Sequence, residues 1–133
     1  MLFCKVFVGE RFVADVKVAL RREEKVRGLQ GINKLKERDG LLIPFNKVSR
    51  FRNGIWMFRM KTSIDVVFVD ESLNIVDIRE NLRPFSFFNP LTWKIYFPKK
   101  PCKYAIELKS SVCRKLNLKV GERVNFYFYQ KRH

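Results

Sequence analysis

The chain has only one histidine, and its three cysteines do not occur in closely spaced pairs. The single histidine is the last residue, His133, and the three cysteines (Cys4, Cys102 and Cys113) are widely spaced. Without an internal imidazole, neither Ser–His nor Cys–His nucleophilic machinery can be assembled. Zinc ligand pairs are missing too, so we expect no metal site and no cofactor. The cysteines are odd in number and follow no motif spacing, which predicts reduced, buried cysteines in a cytoplasmic protein.

Glycine-rich loops and long apolar runs are also missing. The six glycines are scattered singly, which argues against a phosphate-binding glycine loop. No apolar run is long enough to span a bilayer, so we expect no transmembrane segment. The first residues are interrupted by Lys5 and lack a small-residue cleavage site, so no signal peptide is predicted.

Basic residues are abundant, and their distribution is uneven. The net charge is +15, yet residues 61–90 have three basic and five acidic residues. The excess comes from residues 21–60, with eleven basic and four acidic residues, and from 91–133, with eleven and two. Such an excess favours anionic partners, although solubility through self-repulsion explains it equally well.

Apolar alternation predicts a β-rich fold. Residues 1–20 form two strands, 40–45 a third, 64–69 and 75–82 a hairpin, and 104–109 and 123–129 two more. Short helices are expected over 21–29, docked by Val26 and Leu29, and over 112–116, capped by Ser110 and Ser111. Asn53-Gly54 is a strong hairpin signal.

Together these elements predict one mainly β domain over residues 1–133, ending in a short basic tail at 130–133. The fold class is β-rich α+β: a small curled sheet or barrel of short, mostly antiparallel strands with two short helices. Ile64–Val69 is apolar on both faces apart from Asp65, as in a central strand that is buried on two sides.

The order of several short motifs resembles that of domain of unknown function 192, also called uncharacterised protein family 0127. The matching segments are Glu23–Leu29, Gly40–Phe45, Trp56–Lys61, Ile64–Asp70, Asn81–Pro84, Tyr104–Leu108 and Leu116–Val124. The resemblance covers about residues 12–126. It implies a compact, β-rich protein with no established activity. Arg59 departs from the pattern, because the branch of the family that Trp56–Asp70 resembles often has Gly there, and Thr62 and Ser63 replace an aromatic residue and a Pro.

Two carboxylates stand out among apolar neighbours. Asp65 would be costly to bury unless it accepts backbone N–H bonds or pairs with a cation such as Arg59, Lys61 or Arg27. Alternation places Glu107 opposite Tyr104, Ile106 and Leu108, which predicts a solvent-facing side chain. If the fold brought Asp65 and Glu107 together, they could act as a paired-carboxylate hydrolase. A structural role for Asp65 is favoured over a catalytic one.

Two surfaces are candidates for binding. An apolar pocket could be lined by Trp56, Met57, Met60, Lys61 and Asp65, or these rings and thioethers could simply be core. Exposed cations that could bind anions are Arg50, Arg52, Lys94, Lys99, Lys100 and Lys103. The aromatic run 85–100 offers rings and cations for nucleic acid or for a membrane surface, or it could be an ordered cover over the sheet.

The sequence therefore predicts a non-enzymatic binding or interaction module for a small polar or anionic ligand. A basic protein that associates with nucleic acid is the alternative. A hydrolase built on Asp65 and Glu107 is a second alternative.

Overall fold

The structure is a computed structural model, and it describes residues 1–32 and 34–131. A seven-stranded mixed sheet forms most of it. The strands are β1 (Leu2–Val8), β2 (Arg11–Val18), β3 (Gly40–Ser49), β4 (Ile55–Trp56), β5 (Ile64–Val69), β6 (Ile75–Leu82), β7 (Ile95–Tyr96), β8 (Cys102–Lys109) and β9 (Val124–Gln130). The helices are α1 (Arg22–Arg27) and α2 (Val112–Lys115), with a 3-10 turn at Pro90–Thr92. The predicted mainly β class is confirmed.

The sheet is curled but open, with strand order β6-β5-β8-β3-β2-β1-β9. All its described pairings are antiparallel except β2 with β3. The edge strands β6 and β9 meet at one end only, through a bridge between Asn74 and Arg123. Further along β6, Asp77 and Arg79 bind the backbone of Lys99 and Phe97. The predicted barrel is wrong, because no strand pairing among the described residues joins β6 to β9 and the sheet stays open.

Both faces of the sheet are covered, which gives the molecule two apolar clusters. One contains Val67, Leu108 and Cys113, and the other contains Val66, Phe68 and Ala105. All six residues of β5 are buried, as predicted from its apolar run. The antiparallel β5–β6 hairpin is also confirmed.

The Asn53-Gly54 hairpin prediction is wrong. The residues that follow form β4, which pairs with the distant β7 rather than with β3. The Asn53 side chain is buried and donates hydrogen bonds to the carbonyl oxygens of Lys47 and Cys102, both at 2.8 Å. Tertiary contacts therefore determine the conformation of this dipeptide.

The helices lie where they were predicted, but their contacts differ. Val26 is exposed on α1, whereas Leu29 beyond the helix is buried. The α2 helix has no side-chain cap, and Ser110 instead donates a hydrogen bond to the Asn81 side chain. Of the basic tail, Gln130 ends β9, and residues 132–133 lie outside the described part of the chain. No helix among the described residues is long and apolar enough to cross a membrane.

Candidate functional site

A cavity of about 300 Å³ lies between α1, the loop before β4, and the face of β8 that carries Glu107. Its lining comes from distant parts of the chain. The lining residues are Arg22, Lys25, Val26, Arg27, Gly28, Phe45, Arg52, Gly54, Ile55, Trp56, Met60 and Glu107. We call this space the Glu107 cavity.

Glu107 reaches the cavity because of the sheet register. On β8 it lies opposite Leu41 of β3 and Val66 of β5. Side chains of a strand alternate between its faces, so Glu107 shares a face with Ala105, opposite to Ile106 and Leu108. The alternation was predicted correctly, but the solvent-facing position was wrong: the side chain is only 3% exposed. Both faces of this strand are covered.

The carboxyl group of Glu107 is not fully satisfied by its surroundings. Within residues 1–32 and 34–131, its Oε1 atom is buried without a hydrogen-bond partner. Burial raises the pKa of Glu107 to about 7, and the backbone N–H of Leu29 acts in the opposite direction. A buried polar atom without a partner is costly, and such atoms are rare in native proteins. Oε1 is thus available to a donor that enters the cavity.

Gly28 allows the chain to pass directly over this carboxyl group. It ends α1 with φ 56° and ψ −132° and donates its N–H to Glu24 O at 3.0 Å. A Cβ at this position would lie 3.0 Å from Glu107 Oε1 and 3.2 Å from Oε2. Glycine is suited to this site both by its positive φ and by the close approach.

The rim of the cavity is basic. Arg22, Lys25 and Arg27 come from α1, and Arg52 comes from the loop before β4. Both acids of α1 pair with residues outside the cavity lining: Glu24 accepts the Arg21 N–H and pairs with Lys17 of β2, and Glu23 pairs with Arg21 at 3.9 Å. Among the described lining residues Glu107 is the only acid. The cavity therefore combines a cationic rim with a single acceptor at its base.

One wall of the cavity is aromatic and apolar. Trp56 is half-exposed, and its ring stacks on Phe58 with centroids 4.8 Å apart. Ile55 and Met60, both buried, complete the wall with Phe45. A ligand could therefore place a planar apolar body against this wall while its charged group meets the rim.

Only some of the predicted pocket residues line the cavity. Trp56 and Met60 do, whereas Met57 is 1% exposed and packs in the core. Lys61 is exposed to solvent and does not line the cavity. Asp65 lies on the opposite face of the sheet, since it pairs with Leu108. The paired-carboxylate arrangement is therefore not formed, because Asp65 and Glu107 face different sides.

Asp65 is fully buried and satisfied by backbone donors. Its Oδ1 accepts the N–H of Asn81 at 2.9 Å, and its Oδ2 accepts the N–H of Cys113 at 3.0 Å. It thus joins the end of β6 to the start of α2. Backbone N–H bonds were one of the two arrangements predicted for this carboxylate, and they are the ones observed.

Two of the six predicted anion-binding cations bind backbone oxygens, and among the described residues the other four do not. Arg52 lines the Glu107 cavity, and Lys99 and Lys100 are exposed. Lys94 lies over the Tyr96 ring at 4.9 Å. The other two bind backbone oxygens: Arg50 binds Pro98 O at 2.9 Å, and Lys103 binds Phe45 O and Asn46 O.

The three thiols are core residues. Cys4, Cys102 and Cys113 are free and buried. Burial raises the pKa of Cys4 and of Cys102 to about 11, and it raises that of Cys113 as well. Thiolates are the reactive form, so these cysteines are poorly suited to nucleophilic chemistry.

Sequence reasoning missed the α1 side of the cavity. Arg22, Lys25, Arg27 and Gly28 were treated as helix residues and not as site residues. The usable signal was the helix-to-glycine sequence Arg27-Gly28-Leu29. The sequence does not show that this glycine has a positive φ or that it lies beside a buried acid. Both facts depend on the fold.

Fold and site together define a small protein built on an open mixed sheet, with a basic-rimmed cavity that has a carboxyl group at its base. The family model DUF192, described as an uncharacterised ACR, matches residues 6–126. The chain belongs to this family. A UPF0127 protein of Pyrococcus abyssi is 38% identical over 85 residues, which are 64% of this chain and 63% of that protein. A UPF0127 protein of Thermococcus sibiricus is 30% identical over 124 residues, which are 93% of this chain and 73% of that protein.

Two solved structures share the fold. One, from Sinorhizobium meliloti 1021 and described as a proposed transcription regulator, has a TM-score of 0.80 at 20% identity. That match covers 95% of this chain and 94% of the other. The second, a protein of unknown function from Novosphingobium aromaticivorans DSM 12444, has a TM-score of 0.75 at 18% identity, over 92% and 83% of the two chains.

Proposed function

We propose that this chain is a binding module for a small organic anion, which occupies the Glu107 cavity. One observation carries the proposal: the buried Oε1 of Glu107 lacks a partner within the described residues, at the base of a cavity with four cationic side chains at its rim. The ligand class follows from the lining. It has a planar apolar body for Trp56, an anionic group for the rim, and a hydrogen-bond donor for Oε1.

Three related compounds test this ligand class. Indole-3-acetate has a carboxylate, an aromatic body and an N–H donor. 1-Naphthaleneacetate lacks the N–H, and indole lacks the carboxylate. We expect indole-3-acetate to bind most tightly in calorimetric titrations. It should shift the backbone amide signals of Gly28 and Gly54, both of which line the cavity.

Matched variants locate the binding. Glu107→Met removes the acceptor without leaving a buried charge, so it should abolish the preference for indole-3-acetate over 1-naphthaleneacetate. Arg52→Gln should weaken binding of both acids and reduce the salt dependence. Lys61→Gln makes the same charge change outside the cavity and should have no effect. If none of the three compounds shifts the Gly28 or Gly54 amides, the proposal fails.

Association with nucleic acid is the second candidate. Its support is the net charge of +15 and the exposed cations at Arg52, Lys94, Lys99 and Lys100. Binding through phosphate contacts weakens steeply with salt. Retention on an RNA column that is lost between about 0.05 and 0.2 M salt would support this candidate. Elution at the lower concentration would exclude it.

A further inference from the structure

Large apolar side chains are exposed together on the loop between β6 and β7. We call residues 85–95, which include the first residue of β7, the aromatic loop. Phe88 is 97% exposed, Leu91 81% and Phe87 71%, and Trp93 and Ile95 are about half-exposed. An apolar cluster of this kind on a folded surface typically marks an interaction site.

The aromatic loop is held in shape by its own hydrogen bonds. The Ser86 N–H donates to Thr92 Oγ1 at 2.8 Å, and Thr92 Oγ1 donates to Asn89 O at 2.7 Å. Trp93 Nε1 donates to Ser86 O at 2.6 Å. These bonds fix the backbone so that Phe87, Phe88 and Leu91 project outward. The apolar tips are therefore pre-ordered for contact, which lowers the entropy cost of binding.

Ring packing at the base of the loop supports the exposed tips. Phe85 stacks on Trp93 with centroids 6.0 Å apart, and it meets Phe87 edge-on at 5.0 Å and Phe58 edge-on at 5.1 Å. The inner rings are thus engaged with one another. The outermost side chains, Phe88 and Leu91, remain uncovered in the described structure.

The stretch of chain that contains the aromatic loop has charged residues of one sign. No acidic residue occurs between Asn81 and Ile106, whereas the same stretch has five basic residues. Four of these are exposed: Arg83, Lys94, Lys99 and Lys100. The loop therefore presents apolar side chains next to cationic ones. This combination is complementary to a surface with an anionic outer layer and an apolar interior.

We infer that the aromatic loop docks on the surface of an anionic lipid bilayer, with Phe88 and Leu91 in the acyl boundary and Trp93 at headgroup level. Trp93 is about half-exposed, and tryptophan is enriched at the membrane–water interface. A nucleic acid fits less well. Phe87 and Phe88 offer exposed rings, but Leu91 and Ile95 have no ring for base stacking, and the Phe85 and Trp93 rings stack on each other.

Vesicle flotation tests this inference with the whole chain. Vesicles of equal parts phosphatidylcholine and phosphatidylserine should bind the protein, and pure phosphatidylcholine vesicles should bind it more than tenfold less. Phe88→Ser with Leu91→Ser should lower the partition coefficient on the mixed vesicles about tenfold or more. Val120→Ser with Tyr127→Ser changes two exposed apolar residues elsewhere and should leave it unchanged.

Charge variants and fluorescence complete the test. Lys99→Gln with Lys100→Gln should weaken binding to mixed vesicles about tenfold, whereas Arg114→Gln with Lys119→Gln, of equal charge change, should not. In a Trp56→Phe background, Trp93 fluorescence should shift to the blue and be quenched by brominated lipid.

Three results would overturn the inference. The first is equal binding of the Phe88/Leu91 variant and the wild type to mixed vesicles, and the second is no vesicle binding at all. The third is vesicle binding without any change in Trp93 emission. If the Phe88/Leu91 variant instead loses binding to RNA, or a self-association detected by sedimentation, while vesicles bind neither protein, the loop serves that other partner.

Discussion

The backbone of Gly28 lies against the carboxyl group of Glu107, so closely that a Cβ there would be 3.0 Å from Oε1. The two residues are 79 positions apart in the chain. Their contact joins the end of α1 to the face of the sheet and forms the base of the cavity. The identity of residue 28 is thus tied to the presence of a buried acid on β8.

Gly28→Ala tests this contact. The substitution forces an L-residue to φ 56° and crowds the carboxyl oxygens, so we expect a loss of about 2 kcal/mol in unfolding free energy and weaker binding of indole-3-acetate. Gly9→Ala is the control, because Gly9 has a similar φ of +61° with nothing within 4 Å. It should lose stability through backbone strain alone and bind normally. Unchanged binding by the Gly28 variant would contradict the role of this contact.

Glu107→Gln should change how stability depends on pH. The pKa of Glu107 is about 7 in the folded state, and its ordinary value is 4.5. Between pH 4.5 and pH 7, the folded protein therefore binds more protons than the unfolded chain does. Stability therefore falls as pH rises from about 4.5 to about 7, by on the order of 3 kcal/mol. The variant should lack this component in urea titrations across that range. Parallel pH profiles for the two proteins would show that Glu107 does not titrate with a raised pKa.

Asp65→Asn should destabilise the protein without affecting the cavity. Asparagine can accept one of the two backbone N–H bonds, but its amide group would face the other donor. The expected loss is about 2–4 kcal/mol in unfolding free energy. Binding of indole-3-acetate to the folded variant should be unchanged, because Asp65 faces the other side of the sheet. A stable variant that no longer binds would assign Asp65 to the site instead.

Arg59→Gly should leave stability unchanged or raise it by about 0.5 kcal/mol. Arg59 has φ 64°, a conformation that favours glycine. The relief of strain is opposed by the loss of its contact over the Phe58 ring at 5.4 Å and by a more flexible unfolded chain. Thermal unfolding measures the balance, and a loss above about 1 kcal/mol would show that the cation–π contact dominates.

Local patterns predicted the strands well because alternation is a property of the strand itself. They failed for Glu107 because solvent exposure depends on what covers the other face, here the segment after α1. They failed at Asn53-Gly54 for a similar reason. A Cβ at Gly54 would lie 2.5 Å from the Ile95 side chain, so this glycine is required by a close approach and not by a turn.

The site was only partly predictable. Trp56 and Met60 could be chosen because they follow a loop and have unusual side chains. Of the rim cations, Arg52 was among the predicted anion-binding residues. Arg22, Lys25 and Arg27 were not, because one basic helix looks like any other solvated helix in a chain with 28 basic residues. The paired-carboxylate hypothesis failed on register, since the one-residue offset between Asp65 and the partner of Glu107 places the two acids on opposite faces.

The full burial of β5 has a consequence for amide hydrogen exchange. Its residues are covered on both faces and paired on both edges, by β6 and β8. Their amides should exchange only when the whole protein unfolds, and so report the global free energy. The Gly28 and Leu29 amides lie in a short segment over the cavity and should exchange through local opening. A cavity ligand that binds only the folded protein should therefore slow exchange at β5 by its full effect on global stability, and it should slow exchange at Gly28 and Leu29 as much only if their local opening releases the ligand.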